Sequence, residues 1–204
     1  MIAVIDYGVG NLFSLTGSLR YIGAEIKVTA KRREIEDSSA VILPGVGAFG
    51  DAYARLEEYG LVDVLLSQAR SGKPMLGICL GMQMLFDCSF EYGEHRGLGL
   101  IKGDVCPIAP DLKQSVKVPH MGWNSLKFVR PSPLFRYISE GEYVYFVHSY
   151  YAKNCKEGIT SAAEYGGVTL TASAENGNVF GTQFHPEKSG AAGLKILRAF
   201  SEIK

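Results

Sequence analysis

The sequence predicts an α/β protein: a central, mostly parallel sheet flanked by helices, with an antiparallel strand region in the second half. Two observations carry this. Short apolar runs alternate with amphipathic helical segments through the first ninety residues, the pattern of parallel strands buried on both faces. After about residue 95 several strand-like runs follow closely, which favours antiparallel pairing. The chain has 204 residues, enough for one domain with a sizeable core, and no linker or repeat divides residues 1–204.

Ile2–Ile5 is a continuous apolar run and reads as the first buried strand. Tyr7–Gly10 is a glycine-rich turn, and Asn11 is placed to cap a helix that ends near Gly23. Glu25–Thr29 is a second strand. Ala40–Leu43 is a third, with Pro44 expected to stop it. Asp51–Tyr59 and Leu61–Arg70 are helical, separated at Gly60. Met75–Ile78 is a fourth strand, and Gly81–Asp87 has the spacing of a buried helix. Farther on, Tyr143–Tyr151, Ile159–Tyr165, Thr169–Ala174 and Val179–Phe184 read as strands, and Ser189–Ile203 as a closing helix.

Lys plus Arg and Asp plus Glu both number 21, so the formal net charge is zero. Nothing in this balance points to nucleic acid or to an anionic membrane, and low net charge does little to oppose a protein partner. No apolar run approaches the ~20 residues of a membrane-spanning helix. Met1–Asp6 has neither a basic stretch nor a cleavage site, so a cytoplasmic location is expected. The cysteines, Cys79, Cys88, Cys106 and Cys155, form no CxxC pair. Free thiols are therefore expected, with no metal site.

Gly77-Ile78-Cys79-Leu80-Gly81 follows a buried strand and opens a helix. It fits the nucleophile elbow G-x-Nuc-x-G, in which small flanking residues let strand and helix approach around a strained turn. A thiol there sits at a helix N-terminus, where the helix dipole favours thiolate. The backbone N–H of Leu80 faces a developing oxyanion. Cys88, Cys106 and Cys155 lack this context and read as structural; a buried, inert thiol is also the bland reading of Cys79.

A thiol nucleophile needs a base, and the base an orienting group. His185 ends an apolar strand, and Pro186 stiffens the turn that brings Glu187 back toward the imidazole. His148 is the competitor at another strand end, read as structural or substrate-side. His95 and His120 lie in loop-like stretches. Gly45-Val46-Gly47-Ala48-Phe49-Gly50 matches a dinucleotide loop, but Pro44 precedes it and no acidic residue closes the next strand. The loop is better suited to giving the oxyanion a second backbone donor, from Val46 or Gly47.

With these residues in hand, the chain resembles the class I, or triad, glutamine amidotransferases. Gly77-Ile78-Cys79-Leu80-Gly81-Met82-Gln83 and His185-Pro186-Glu187 are similar to the motifs of the whole class. Pro44-Gly45-Val46-Gly47, Pro119-His120-Met121-Gly122-Trp123-Asn124 and His185-Pro186-Glu187-Lys188-Ser189 narrow the resemblance to its histidine-pathway branch. It runs from Ile2 to about Phe200. The resemblance implies a glutaminase without cofactor, in which Cys79, His185 and Glu187 are catalytic and Val46, Gly47 and Leu80 form the oxyanion hole. It implies that Gly47, Gln83, Glu91, Ser149 and Tyr150 hold L-glutamine. It also implies a heterodimer with a (β/α)8-barrel cyclase subunit that takes the ammonia and is met by Asn11, Met121, Trp123, Tyr145 and Lys188. Pro119–Asn124, poor in strand or helix character, reads as a partner-facing loop, although Trp123 and Tyr145 also suit a core. A cysteine hydrolase of another class, such as a peptidase or esterase, and a catalytically silent α/β binding domain remain open.

Overall fold

A computed structural model describes residues 1–155 and 157–204. In the first half, β1 (Ile2–Ile5), α1 (Leu12–Tyr21), β2 (Ile26–Thr29), α2 (Arg32–Glu36), β3 (Ala40–Gly45), α3 (Phe49–Glu58), α4 (Val62–Arg70), β4 (Met75–Cys79) and α5 (Leu80–Gln83) follow in turn. The second half runs through β5 (Cys88–Ser89), β6 (His95–Arg96), β7 (Asp104–Pro107), β8 (His120–Ser125), β9 (Lys127–Phe128), β10 (Tyr143–His148), β11 (Tyr150–Lys153), β12 (Ile159–Tyr165), β13 (Val168–Asn176), β14 (Val179–Thr182) and α6 (Gly190–Ser201).

Eight strands form the main sheet in the order β2-β1-β3-β4-β14-β13-β12-β9. The first five are parallel neighbours, and β14, β13, β12 and β9 are joined antiparallel. β14 is the seam, parallel to β4 on one edge and antiparallel to β13 on the other. Two smaller sheets stand apart, an antiparallel ribbon of β10 with β8 and a four-stranded sheet in the order β11-β7-β5-β6.

The continuous apolar strands bury both faces. Ala3, Ile5, Val41, Leu43 and Met75 point to one core, shared with Leu56, Val64 and Leu65 of α3 and α4. Ile2, Val4, Ile42, Leu76 and Ile78 point to the other, shared with Leu15 and Leu19 of α1 and Ile196, Leu197 and Phe200 of α6. Alternate side chains of a strand face opposite sides, so two helical layers are needed to cover these runs. Among the described residues, no helix is long and apolar enough to cross a membrane.

Several expectations are corrected. Pro44 does not stop β3, which continues to Gly45 with Pro44 opposite Ile78 and Gly45 opposite Cys79. The pairing of β3 with β1 ends at Ile42, so the missing Pro44 N–H faces no strand on that edge. The helix expected over Gly81–Asp87 is the single turn Leu80–Gln83. Tyr143–Tyr151 is two strands, broken at Ser149 and committed to different sheets. Pro119–Asn124 is not a loop: His120–Ser125 is a strand that takes its hydrogen bonds from β10.

Candidate active site

β4 and β14 lie side by side and parallel, with Thr182 opposite Ile78. Their carboxyl ends deliver Cys79 and, three residues beyond β14, His185 to the same rim of the sheet. This is the edge at which open parallel sheets gather their sites.

Cys79 sits on a sharp turn with φ 54° and ψ −111°, a conformation that costs a non-glycine residue on the order of 1–3 kcal/mol. The flanking glycines make it possible. A Cβ on Gly77 would lie 2.6 Å from the Gly81 carbonyl oxygen, and one on Gly81 would overlap the Leu43 carbonyl. The thiol faces a cleft of about 300 Å³ that is also lined by Val46, Gly47, Leu80, Gln83, Glu91, His148, Ser149, Tyr150 and His185. Each residue expected to touch substrate or oxyanion therefore faces one cavity. Glu187 stands behind it, its Oε1 2.8 Å from His185 Nδ1.

The local helix contributes less than expected. α5 is one turn, too short for a large macrodipole. The charge balance comes from side chains instead. Burial pulls the His185 imidazole down, but the Cys79 sulfur and the Glu187 carboxylate outweigh it and push it up to about 9. A charged imidazole beside a thiol is the arrangement that thiol–imidazole nucleophile pairs use. The main chain of His185 is fixed as well. Its N–H donates to the Tyr145 carbonyl at 2.9 Å, and its carbonyl accepts from Ser189 Oγ at 2.6 Å. Ser189 Oγ in turn accepts from the Tyr145 N–H at 2.9 Å. Sequence reasoning missed Ser189 as a brace, since nothing local signals a serine that ties a turn to a distant strand.

His148 is held differently. Its Nδ1 lies 2.8 Å from the Tyr150 carbonyl, which only accepts, so Nδ1 carries the proton. Nε2 then accepts from His120 Nδ1 at 2.9 Å, and His120 Nε2 accepts from Asn124 Nδ2 at 3.2 Å. Burial lowers His148 to about 3 and His120 to about 4. Both rings are neutral, with their protons committed to neighbours.

The loop through Val46 and Gly47 is pinned at its far end. Glu91 Oε2 accepts the Phe49 N–H at 2.6 Å, capping α3, for which Ala48 has no side chain to offer. Gly47, at φ +93°, adopts a backbone that other residues rarely enter. Gly50, the third glycine of the dinucleotide-like pattern, makes room for the His95 ring: a Cβ there would lie 2.7 Å from the imidazole. Its role is packing.

The other thiols are deactivated. Burial and the Asp104 carboxylate, which accepts from its thiol at 3.2 Å, raise Cys88 to about 11. Burial also raises Cys106 and Cys155.

The residues expected to meet a partner mostly gather on the β8–β10 ribbon and the turn after His185. Met121 and Trp123 are 60% and 55% exposed on β8. The Trp123 and Tyr145 rings meet edge to face at 6.2 Å, and Lys188 Nζ lies 6.0 Å above Tyr145. Asn11 is partly used elsewhere: it caps α1 by accepting the Ser14 N–H at 3.4 Å. Phe13, 90% exposed in the first turn of that helix, was not anticipated.

A family model for class-I glutamine amidotransferases matches residues 3–202. The chain belongs to the class-I glutamine amidotransferases. Within that class, it is 50% identical over 203 residues to the imidazole glycerol phosphate synthase subunit HisH of Bacillus cereus, covering 100% of this chain and 95% of the relative. It is 46% identical to the same-named subunit of Caldanaerobacter subterraneus, covering 100% and 98%. Among solved structures, a glutamine amidotransferase superposes with a TM-score of 0.76 at 19% identity, covering 100% of both chains. The Thermotoga maritima PurLQS structure superposes with a TM-score of 0.73 at 22% identity, covering 98% of this chain and 96% of that one. These structures share the fold.

Proposed function

We propose that this chain is the glutaminase subunit of imidazole glycerol phosphate synthase, a single domain over residues 1–204 working in the cytoplasm as a heterodimer with a (β/α)8-barrel cyclase. The carrying observation is the delivery of Cys79 and His185 by adjacent parallel strands to one cleft, with Glu187 2.8 Å behind the imidazole. The identity with same-named subunits along the whole chain supports the choice of partner and pathway.

The Cys79 thiolate attacks the side-chain amide carbon of glutamine. The N–H of Leu80 and one from Val46 or Gly47 hold the oxyanion. Imidazolium His185 gives its proton to the leaving nitrogen, ammonia departs, and a γ-glutamyl thioester remains. His185, now neutral, takes a proton from water. The hydroxide adds to the thioester, the sulfur leaves as thiolate, and glutamate is released. Glu187 keeps the imidazole oriented and stabilises its charged form. Gln83, Glu91, Ser149 and Tyr150 position the amino acid.

Met121, Trp123, Tyr145 and Lys188, with Asn11, face the cyclase. The ribbon and the His185 turn share the Tyr145–Ser189–His185 bonds, so a partner seated there bears on the catalytic base. The test is glutamate release with and without a cyclase subunit, together with alkylation of Cys79 by a glutamine-mimicking electrophile. Low activity alone, a large rise with the cyclase, and protection by glutamine are expected. Protection no better than by an unrelated amide or ester would favour a hydrolase of another class.

A further inference from the structure

One buried polar side chain at the rim has no part in the reaction as drawn. Gln183 lies between the end of β14 and His185 and is completely buried. Its main-chain N–H is already used, donating to the Ala172 carbonyl at 2.8 Å. Its side-chain amide is wedged between Gln83 and Cys79, with Oε1 3.0 Å from Gln83 Nε2 and Nε2 3.8 Å from Cys79 Sγ.

The orientation of that amide is forced. The Tyr150 carbonyl only accepts, so the Gln83 atom 3.1 Å from it is the nitrogen. The same Gln83 nitrogen meets Gln183, which must present its oxygen there. The Gln183 nitrogen therefore faces the sulfur. The Tyr150 carbonyl that anchors Gln83 also accepts from His148, whose other nitrogen is held by His120, itself held by Asn124. The Gln183 donor is thus the end of a continuous hydrogen-bonded chain and is not free to rotate away.

A neutral thiol accepts hydrogen bonds weakly; a thiolate accepts them strongly. A buried amide N–H aimed at sulfur is well satisfied only when the proton has left. The thiol form has its own acceptor in the Val147 carbonyl, 4.0 Å from Sγ. The two groups favour opposite protonation states of one sulfur.

The geometry points to Gln183 as a positioning residue for the nucleophile: its side-chain N–H holds the Cys79 sulfur as thiolate, aimed into the cleft, with Gln83 as the brace. This rests on the reading of Cys79 as nucleophile and adds a second, uncharged thiolate partner beside His185. A purely architectural Gln183, linking β14 to α5, would leave the ionisation of the sulfur untouched.

The test is the pH dependence of Cys79 alkylation by iodoacetamide in the full chain, wild type against Gln183→Met and Gln183→Glu. Methionine keeps the volume and removes the donor; glutamate replaces the donor with an anion. The pH of half-maximal alkylation is expected to move up by about one unit in Gln183→Met, and further in Gln183→Glu. If Gln183→Glu does not fold, Gln183→Met alone decides. Profiles that superimpose on wild type overturn the proposal, whatever happens to turnover. Because iodoacetamide reports the sulfur without glutamine, an absence of glutaminase activity would sink the functional reading and leave this result standing.

Discussion

Two buried histidines stand at the rim of the same cleft, one shifted toward the charged ring and the other toward the neutral one. His185 and His148 are 2% and 6% exposed, and each ends or follows a strand. Burial disfavours the charged ring in both. His185 overcomes it because its hydrogen-bonding partners, the Cys79 sulfur and Glu187, both favour the charged ring. His148 meets a carbonyl and a second imidazole, neither of which offers compensating charge, and it stays neutral. Burial alone does not make a catalytic base; the partners of the two ring nitrogens do.

The largest effect expected from this contrast is in turnover. His185→Ala should abolish glutamate release, a loss of about 10³-fold or more, because it removes both proton transfers. His148→Ala should leave a measurable fraction. Equal losses would erase the distinction, and the reverse order would move the base to His148. Glu187→Gln sharpens the same comparison. It removes one of the two partners that favour the charged His185 ring and should cost about tenfold in turnover while lowering the pH above which His185 loses its proton, read from the alkaline limb of the rate profile.

Stability should separate the two sites by sign. His148 and His120 are lowered to about 3 and 4, below their unfolded values. Between those values and about 6.5 the unfolded chain binds more protons, so stability is complete above that range and falls as pH drops through it. The expected loss is on the order of 2 kcal/mol per histidine over two pH units, measured by denaturant titration, and His148→Gln should flatten it. His185, raised to about 9, contributes stability that is present below about 6.5 and lost as pH rises toward 9. The smallest effect on chemistry is expected from Trp123→Ala. It should leave the basal glutaminase of the isolated chain unchanged and weaken cyclase binding by about 2 kcal/mol, measured by calorimetry.

The sequence made the parallel half and the sharp turn at Cys79 legible because both are local. β1 falls on the expected boundaries and β4 starts at the expected Met75, and the elbow around Cys79 is five consecutive residues whose glycines answer to sterics visible in the motif itself. What it did not reveal depends on distant partners. Pro44 stays in β3 because β1 has already left that edge. Residues 143–151 split because β8 and β7 claim the two halves for different sheets. Gln183 and Ser189 acquire meaning only through Gln83 and Tyr145, 100 and 44 positions away in the chain. The neutrality of His148 follows from its burial, and its ring is held by His120, which no local signal marks as its partner.

The proposed chemistry depends on a charged pair between the sulfur and the imidazole at the ends of β4 and β14. The direct test is an NMR titration of the His185 ring in the wild type and in Cys79→Ala. A wild-type midpoint near 9 that moves down when the sulfur is removed is expected. A midpoint that is the same in both proteins, or an ordinary value near 6.5 in the wild type, would contradict it.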